Sequence, residues 1–326
     1  MRSNKINNVD LFTQTANDRY KKHVKTQSKE ALEIINNKID WSLLVQPLEN
    51  EFNRSSTGRK PFNLLVIVKC FILQTIYNLS DPRLEEEIAD RRSFQIFLGL
   101  NSGDSIPDET TICRYRETFS IKELDALLFK GFYKQLKSKG LVLEQGTLID
   151  ATIKPSYTNP KANDNACNRD KDADFGQKGR KKYFGYKGHI GMDMQSKIIH
   201  STEFTPVSVH DSNKFDELVT NNELIIMADK GYANEQRKRK YRGKGVKYSV
   251  LDKAYRNRKL SNKQKRRNKT ISKIRNEVEK PFAFMKNILK NVRCEYYNLK
   301  RNRFKFVFCA MIYNMRRMIT LTFNTA

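Results

Sequence analysis

Leu224-Ile225-Ile226-Met227-Ala228-Asp229-Lys230-Gly231-Tyr232 is the stretch on which the fold of this chain turns. Five apolar residues between polar flanks have the length and composition of a buried strand, and Asp229 closes it. An earlier run, Gly146-Thr147-Leu148-Ile149-Asp150, ends in the same way. A third acid, Glu279, lies in the helically patterned segment from Ile271 to Asn291. One Asp at a strand end says little, because acids commonly begin turns. Two carboxylates at strand ends and one on a helix can hold a pair of divalent cations, which clamp the attacking and leaving oxygens of an in-line phosphoryl displacement.

Outward from these runs, Leu141–Asp150 reads as the first strand. Tyr183–Asp193 and Lys197–Thr205 read as a hairpin around Met194-Gln195-Ser196. A helix over Phe215–Asn222, the strand Leu224–Asp229, a helix over Asn234–Lys240, a strand over Val246–Leu251 and the helix from Ile271 complete the order. Three antiparallel strands followed by alternating helices and strands is the element order of a ribonuclease-H-like α/β fold. There the first and fourth strands are neighbours, about 4.8 Å apart, so Asp150 and Asp229 can face one metal pair. Lys154–Lys182 is polar and poor in apolar residues and reads as a mobile loop with Asp172 and Asp174 solvated. His210-Asp211 reads either as support behind the acids or as the cap of the next helix, with capping favoured for Asp211, and His189 as packed or partnered inside its strand.

Upstream, residues 1–60 read as a helical arm and linker, with helices over Lys29–Asn37 and Trp41–Phe52 and a turn-rich linker over 53–60. Residues 61–140 form an all-α domain. Pro61 suits the first position of a helix, and Phe62–Tyr77 is apolar nearly all round, the mark of a buried helix. Helices over Arg83–Arg91 and Ser93–Leu98 precede one that Ser105-Ile106-Pro107-Asp108 caps and that carries Thr110, Thr111, Arg114 and Arg116. Two readings fit: a helix-turn-helix whose second helix enters the major groove, or a plain bundle with Ile112 and Tyr115 inward and the arginines in water. Residues 141–326 then form the catalytic domain.

The formal net charge is +26 over 326 residues, which favours nucleic acid as a partner. A basic membrane-surface protein would need an amphipathic basic helix or a long apolar span. The longest apolar stretch, Leu64–Leu73, contains Lys69 and is too short to cross a bilayer. Five scattered cysteines and a polar, charged stretch 1–30 fit a reducing cytoplasm without structural zinc or disulfides. Residues 235–275 hold 18 Lys or Arg against Glu235 and Asp252. Because this run separates the second acid from the third, it is expected to bind phosphates, with Lys265, Arg266 and Arg267 as contacts. Lys230 and Tyr232, beside Asp229, are further DNA-contact candidates.

At about 100° per residue, Ile271, Ile274, Val278, Phe282, Met285 and Leu289 share one stripe, with Arg275, Glu279 and Lys286 along its edge. The bland alternative is an ordinary i, i+4 pair between Arg275 and Glu279, which leaves Lys286 unexplained. Pro281 conflicts with an uninterrupted helix.

These residues resemble the DDE transposases of bacterial insertion sequences, specifically the insertion-sequence-five family of the insertion-sequence-four-like group. The resemblance runs from about residue 60 to 318. It is carried by Leu79-Ser80-Asp81-Pro82, Leu84-Glu85-Glu86, Phe94–Gly99 and Ile106–Thr111, by Gly146–Thr152, Tyr183–Asp193 and Thr205–Ser212, and by Ala228–Tyr232. Arg275-x3-Glu279-x6-Lys286 fits the signature Tyr-x2-Arg-x3-Glu-x6-Lys, with Ser272 at the Tyr position. Val278-Glu279-Lys280-Pro281-Phe282 is similar to a Val-Glu-His-Pro-Phe block of many members, so Pro281 is tolerated there. The resemblance implies Asp150, Asp229 and Glu279 as catalytic metal ligands, Mg²⁺ (with Mn²⁺ able to substitute) as cofactor, and Arg275 and Lys286 as DNA contacts. It implies cleavage and strand transfer at terminal inverted repeats of double-stranded DNA, by a homodimer or larger oligomer near the bacterial nucleoid and away from any membrane. A non-cutting regulator would be expected to lose a carboxylate, and all three are present. A structure-specific nuclease on the same fold would not need the helical domain.

Overall fold

The computed structural model describes residues 11–23, 26–52, 61–101, 103–158, 169–254 and 259–324. The chain divides into two compact units, residues 1–135 and 136–326. The linker read over 53–60 lies outside the described residues, as do 159–168 of the polar stretch.

The first unit is helical: α1 (Leu11–His23), α2 (Gln27–Lys38), α3 (Trp41–Glu49), α4 (Leu64–Tyr77), α5 (Asp81–Asp90), α6 (Arg92–Leu98), α7 (Glu109–Ile121) and most of α8 (Leu124–Ser138). The apolar α4 is buried from Val66 to Thr75, as its composition predicts. Lys69 survives inside it because its ammonium donates to Asn36 Oδ1 (2.8 Å) and lies 5.0 Å from the Trp41 ring centroid. Burial lowers its pKa to about 8. These contacts correct the loose arm: α2 and α3 pack on α4 and α6, and Trp41 meets Phe97 edge-on at 6.1 Å. Pro61 does not open α4; Asn63 caps it, its side chain accepting from the Leu65 amide.

The second unit holds a mixed sheet with strands β1 (Gly146–Pro155), β2 (Asp174–Lys178), β3 (Lys181–Asp193), β4 (Ile199–Pro206), β5 (Ile225–Ala228) and β6 (Lys247–Val250). β3 runs antiparallel to β1 on one edge; β2 and then β4 pair with its other edge. β5 lies parallel to β1, and β6 parallel to β5. One face carries Ile149, Ile226, Ala228, Tyr248 and Val250 under Phe215, Leu218 and Tyr241. The opposite face packs on α12 (Leu299–Asn324), where Gly188 gives room: a Cβ there would stand 2.5 Å from the Phe306 ring. Gly185 is needed for a second reason, since its φ of 150° and its close approach to the Lys154 carbonyl both exclude a side chain.

Three expected elements differ. The helix over Phe215–Asn222 is two 3-10 turns, Asp211–Lys214 and Asp216–Leu218, because Val219 is extended and Asn221 adopts φ 67°. The polar loop is partly structured: β2 packs Phe175 on Phe184 at 4.9 Å. Asp172 accepts from the Leu299 amide at the start of α12, and Asp174 from the Phe175 amide, so neither is simply solvated. The third difference is the helix that carries Glu279. It starts at Asn262 as α10 (Asn262–Arg275), with a capping box between Ser261 and Gln264. A 3-10 turn, Asn276–Val278, then interrupts it before α11 (Glu279–Asn287). Pro281 is the cause: it cannot donate to a carbonyl one turn back, and the first turn of a new helix makes no such demand.

Candidate functional site

Register brings the first two acids together. Ile149 pairs with Ala228 across the parallel β1–β5 ladder, so the next residues, Asp150 and Asp229, stand side by side on one face at the C-terminal end of β5. Pleating turns Ile149 and Ala228 into the apolar cluster of the other face. Asp150 is largely buried, and its amide neighbour Ala151 donates to its Oδ1 at 2.9 Å. Burial raises its carboxyl pKa; Arg275 opposes that rise, and the nearby Asp229 adds to it. Asp229 heads the 3-10 turn Lys230–Tyr232 without a side-chain cap bond, leaving its carboxylate available.

Glu279 reaches the pair through Arg275. The guanidinium donates from Nη1 to Asp150 Oδ2 at 2.9 Å and from Nη2 to Glu279 Oε1 at 3.4 Å. Arg275 is 13% exposed and Glu279 59%, so the third acid sits at the rim. Glu277, two residues earlier, turns instead to Lys280 and Lys197. Among the described residues no three His, Cys, Asp or Glu side chains converge as a finished metal cage. The oxygen-only donor set nevertheless suits a hard divalent cation, and the buried Asp150 beside Asp229 would gain from one. The carboxylates of Asp150, Asp229 and Glu279 are of the donor type that such an ion takes.

The remaining contact candidates separate into two kinds. Lys230, Lys265, Arg266 and Arg114 are exposed, and Lys286 is half-buried. Three others are corrected by their partners. Arg116 is buried, its guanidinium ion-paired with Asp81 and bonded to Gln74 Oε1 at 3.3 Å. Tyr232 is 1% exposed, in the cluster with Phe215, and its carbonyl accepts from the Tyr248 hydroxyl at 3.0 Å. Arg267 donates to the Val250 carbonyl (3.0 Å) and Asp252 (2.9 Å), tying α10 to the end of β6. Arg275 belongs in part with these, as its hydrogen-bonded partners are the acids themselves.

Sequence reasoning missed two supports. Lys187 donates to Asp211 Oδ1 and to the Val209 carbonyl, both at 2.9 Å, so Asp211 is an ion-pair partner where a cap was expected. The capping oxygen's role falls to the His210 ring, whose Nδ1 accepts from the Ser212 amide. The signal was the alternation of β3, which puts Lys187 and His189 on one face. His189 is buried as expected, 3.0 Å from Thr205 Oγ1 and 3.5 Å from the Tyr232 hydroxyl. Lys154, once placed in the loop, is buried at the end of β1 and bonds to Asn291, joining the strand that bears Asp150 to the segment after α11.

Among the described residues no single helix is long and apolar enough to cross a membrane. Residues 143–315 match the family described as Transposase DDE domain, and residues 19–118 match the one described as Transposase domain (DUF772). No solved structure matches the chain. The first match spans more than half the sequence and contains both strand-end aspartates and Glu279, and the chain belongs to the DDE-domain transposases.

Proposed function

We propose that this protein is a transposase of the insertion-sequence-five type that cuts DNA at the terminal inverted repeats of its element and joins the ends to a target. The observation that carries the reading is the in-register placement of Asp150 and Asp229 on adjacent parallel strands, with Glu279 linked to Asp150 by Arg275. The strand order, with β1 between an antiparallel β3 and a parallel β5, supports a ribonuclease-H-like unit over residues 141–326. Residues 61–140 serve as the DNA-recognition domain, with 1–60 ahead of it. The protein acts as a homodimer or larger oligomer on double-stranded DNA at the nucleoid.

In this reading Asp150, Asp229 and Glu279 hold Mg²⁺, or Mn²⁺ in its place. Bound there, the metal would supply activation of a water or a 3′ hydroxyl and stabilisation of the leaving oxygen. The chain's own groups do the rest. Lys230, Lys265, Arg266 and Lys286 neutralise phosphates along the cut strand. The buried Tyr232 and its bond from Tyr248 fix the turn that aims Asp229. Burial keeps the Tyr232 phenol protonated, its pKa well above the ordinary value, so it adds no negative charge beside the acids. Arg114, exposed on α7, can reach a base edge.

The test is Mg²⁺-dependent cleavage of two substrates of equal length, one carrying the inverted repeat that flanks the gene and one a four-way junction. Nicking at the repeat's end is expected. Preference for the junction would replace this reading with a structure-specific nuclease.

A further inference from the structure

We infer that Arg275 is a built-in counter-ion for the cation site, exchanged for divalent metal when the site loads. The inference rests on reading Asp150, Asp229 and Glu279 as that site, and goes beyond it by assigning Arg275 a role toward the metal as well as toward DNA.

Three observations carry it. First, the guanidinium bonds one oxygen of Asp150 and one of Glu279, residues on different elements, β1 and α11. It thereby links two acids that a shared cation would also link. Secondly, the bridge is uneven. Nη1 meets Asp150 at 2.9 Å, a full charge-assisted bond, whereas Nη2 meets the exposed Glu279 at 3.4 Å, and the buried Nε has no partner. The Glu279 arm is the longer and weaker of the two bonds, and so the easier to give up. Thirdly, Asp229 stands beside Asp150 on the neighbouring strand, so one guanidinium accompanies three carboxylates. A single positive charge only partly balances the acids, and a divalent ion balances them better.

Metal and guanidinium repel each other and compete for the same oxygens. Loading the site therefore costs the Asp150–Arg275 bond and frees a cation beside the acids, where an incoming DNA phosphate can take the place of Asp150 as its partner. Without metal, Arg275 holds the acids together and keeps Asp150 from standing unpaired.

Mn²⁺ binding to the DNA-free full chain, followed by electron paramagnetic resonance of the free ion, tests this without any turnover. Arg275→Gln removes the competing charge and should bind Mn²⁺ about tenfold more tightly or better. Arg275→Lys, which keeps charge but loses the planar fork, should fall between Gln and the parent. Equal or weaker binding in Arg275→Gln would overturn the inference. A second measurement does not depend on that variant folding. In the parent protein, the Arg275 Nε–Hε resonance, assigned by its loss in Arg275→Lys, should shift as Mg²⁺ is added; an unmoved resonance at saturating Mg²⁺ also overturns it. Asp150→Asn and Asp229→Asn separate the two levels. If both bind Mn²⁺ as the parent does, the cation-site reading itself fails and the inference with it. If both lose Mn²⁺ while Arg275→Gln is unchanged, the inference alone fails.

Discussion

Arg116 on α7 and Arg275 on α10 are both buried beside an aspartate, yet their surroundings assign them different work. Arg116 meets Asp81 and Gln74 inside a helical unit, and Gln74 also donates to Asp81 Oδ1 at 2.6 Å, so the three side chains close a local network. Arg275 meets Asp150 and Glu279 where a third acid, Asp229, lies at hand on the neighbouring strand. A closed network is what a fold uses to hold helices together. An open one, with excess negative charge, is what a ligand can complete. Basic residues on a helix thus do not announce a DNA contact; the partners around them decide.

The comparison breaks first on stability. Arg116→Ala leaves Asp81 without its ion-pair partner and should cost about 3 kcal/mol, read as a fall in the denaturation midpoint of the first unit. A change below about 0.5 kcal/mol would show that the network is dispensable and that Arg116 is available for other work.

Acid should act on the second unit through its buried histidines. His189 and His200 are both pushed down to about 4, mainly by burial. Their unfolded forms bind protons near pH 6.5, so between that pH and about 4 the unfolded state takes up more protons and stability falls as pH falls. Above pH 6.5 the contribution is fully present. A denaturation series from pH 7.5 to 4.5 should show a loss on the order of 1–3 kcal/mol per histidine. His200→Gln should flatten part of that slope; an unchanged slope would place the titration elsewhere.

How far the sequence carried the reading follows from range. Asp150 and Asp229 were legible because each closes a short apolar run, and a strand's end is local information. The β3–β4 hairpin was legible for the same reason. The Arg116–Asp81 pair was not: its partners lie 35 residues apart, and nothing in the α7 pattern distinguishes a buried arginine from an exposed one. Arg267 and Tyr232 failed similarly, their partners Asp252 and Tyr248 lying on other elements. β2 was hidden because Asp174–Lys178 has a central Gly and charged ends and pairs only with the start of β3. The break before Glu279 was half legible: Pro281 signalled it, but a proline interrupts the turn before it, which moved the helix end to Arg275.

The basic segment offers a sharper version of the comparison, within one helix. Arg267→Ala should lower stability by about 1–2 kcal/mol, since it unties α10 from Val250 and Asp252. Lys265→Ala with Arg266→Ala should leave stability unchanged, weaken binding to all DNA sequences alike and lower the salt slope by about 0.9 per lost phosphate contact. An effect on one sequence only would mean that these side chains read bases. On α7, Arg114→Ala should cost about 1–3 kcal/mol in discrimination between the inverted repeat and random DNA, with general binding kept. A footprint identical to the parent's would move recognition away from α7.

The central claim is that Asp150 and Asp229 are set side by side for phosphoryl transfer. Single-turnover cleavage of inverted-repeat DNA by Asp229→Asn tests it most directly, because this change keeps the side chain's shape and removes only its charge. The rate with saturating Mg²⁺ should fall by about 10³-fold, with affinity for the same DNA kept or slightly raised. An Asp229→Asn protein that binds the repeat normally and still cuts it at the parent's rate would contradict the assignment.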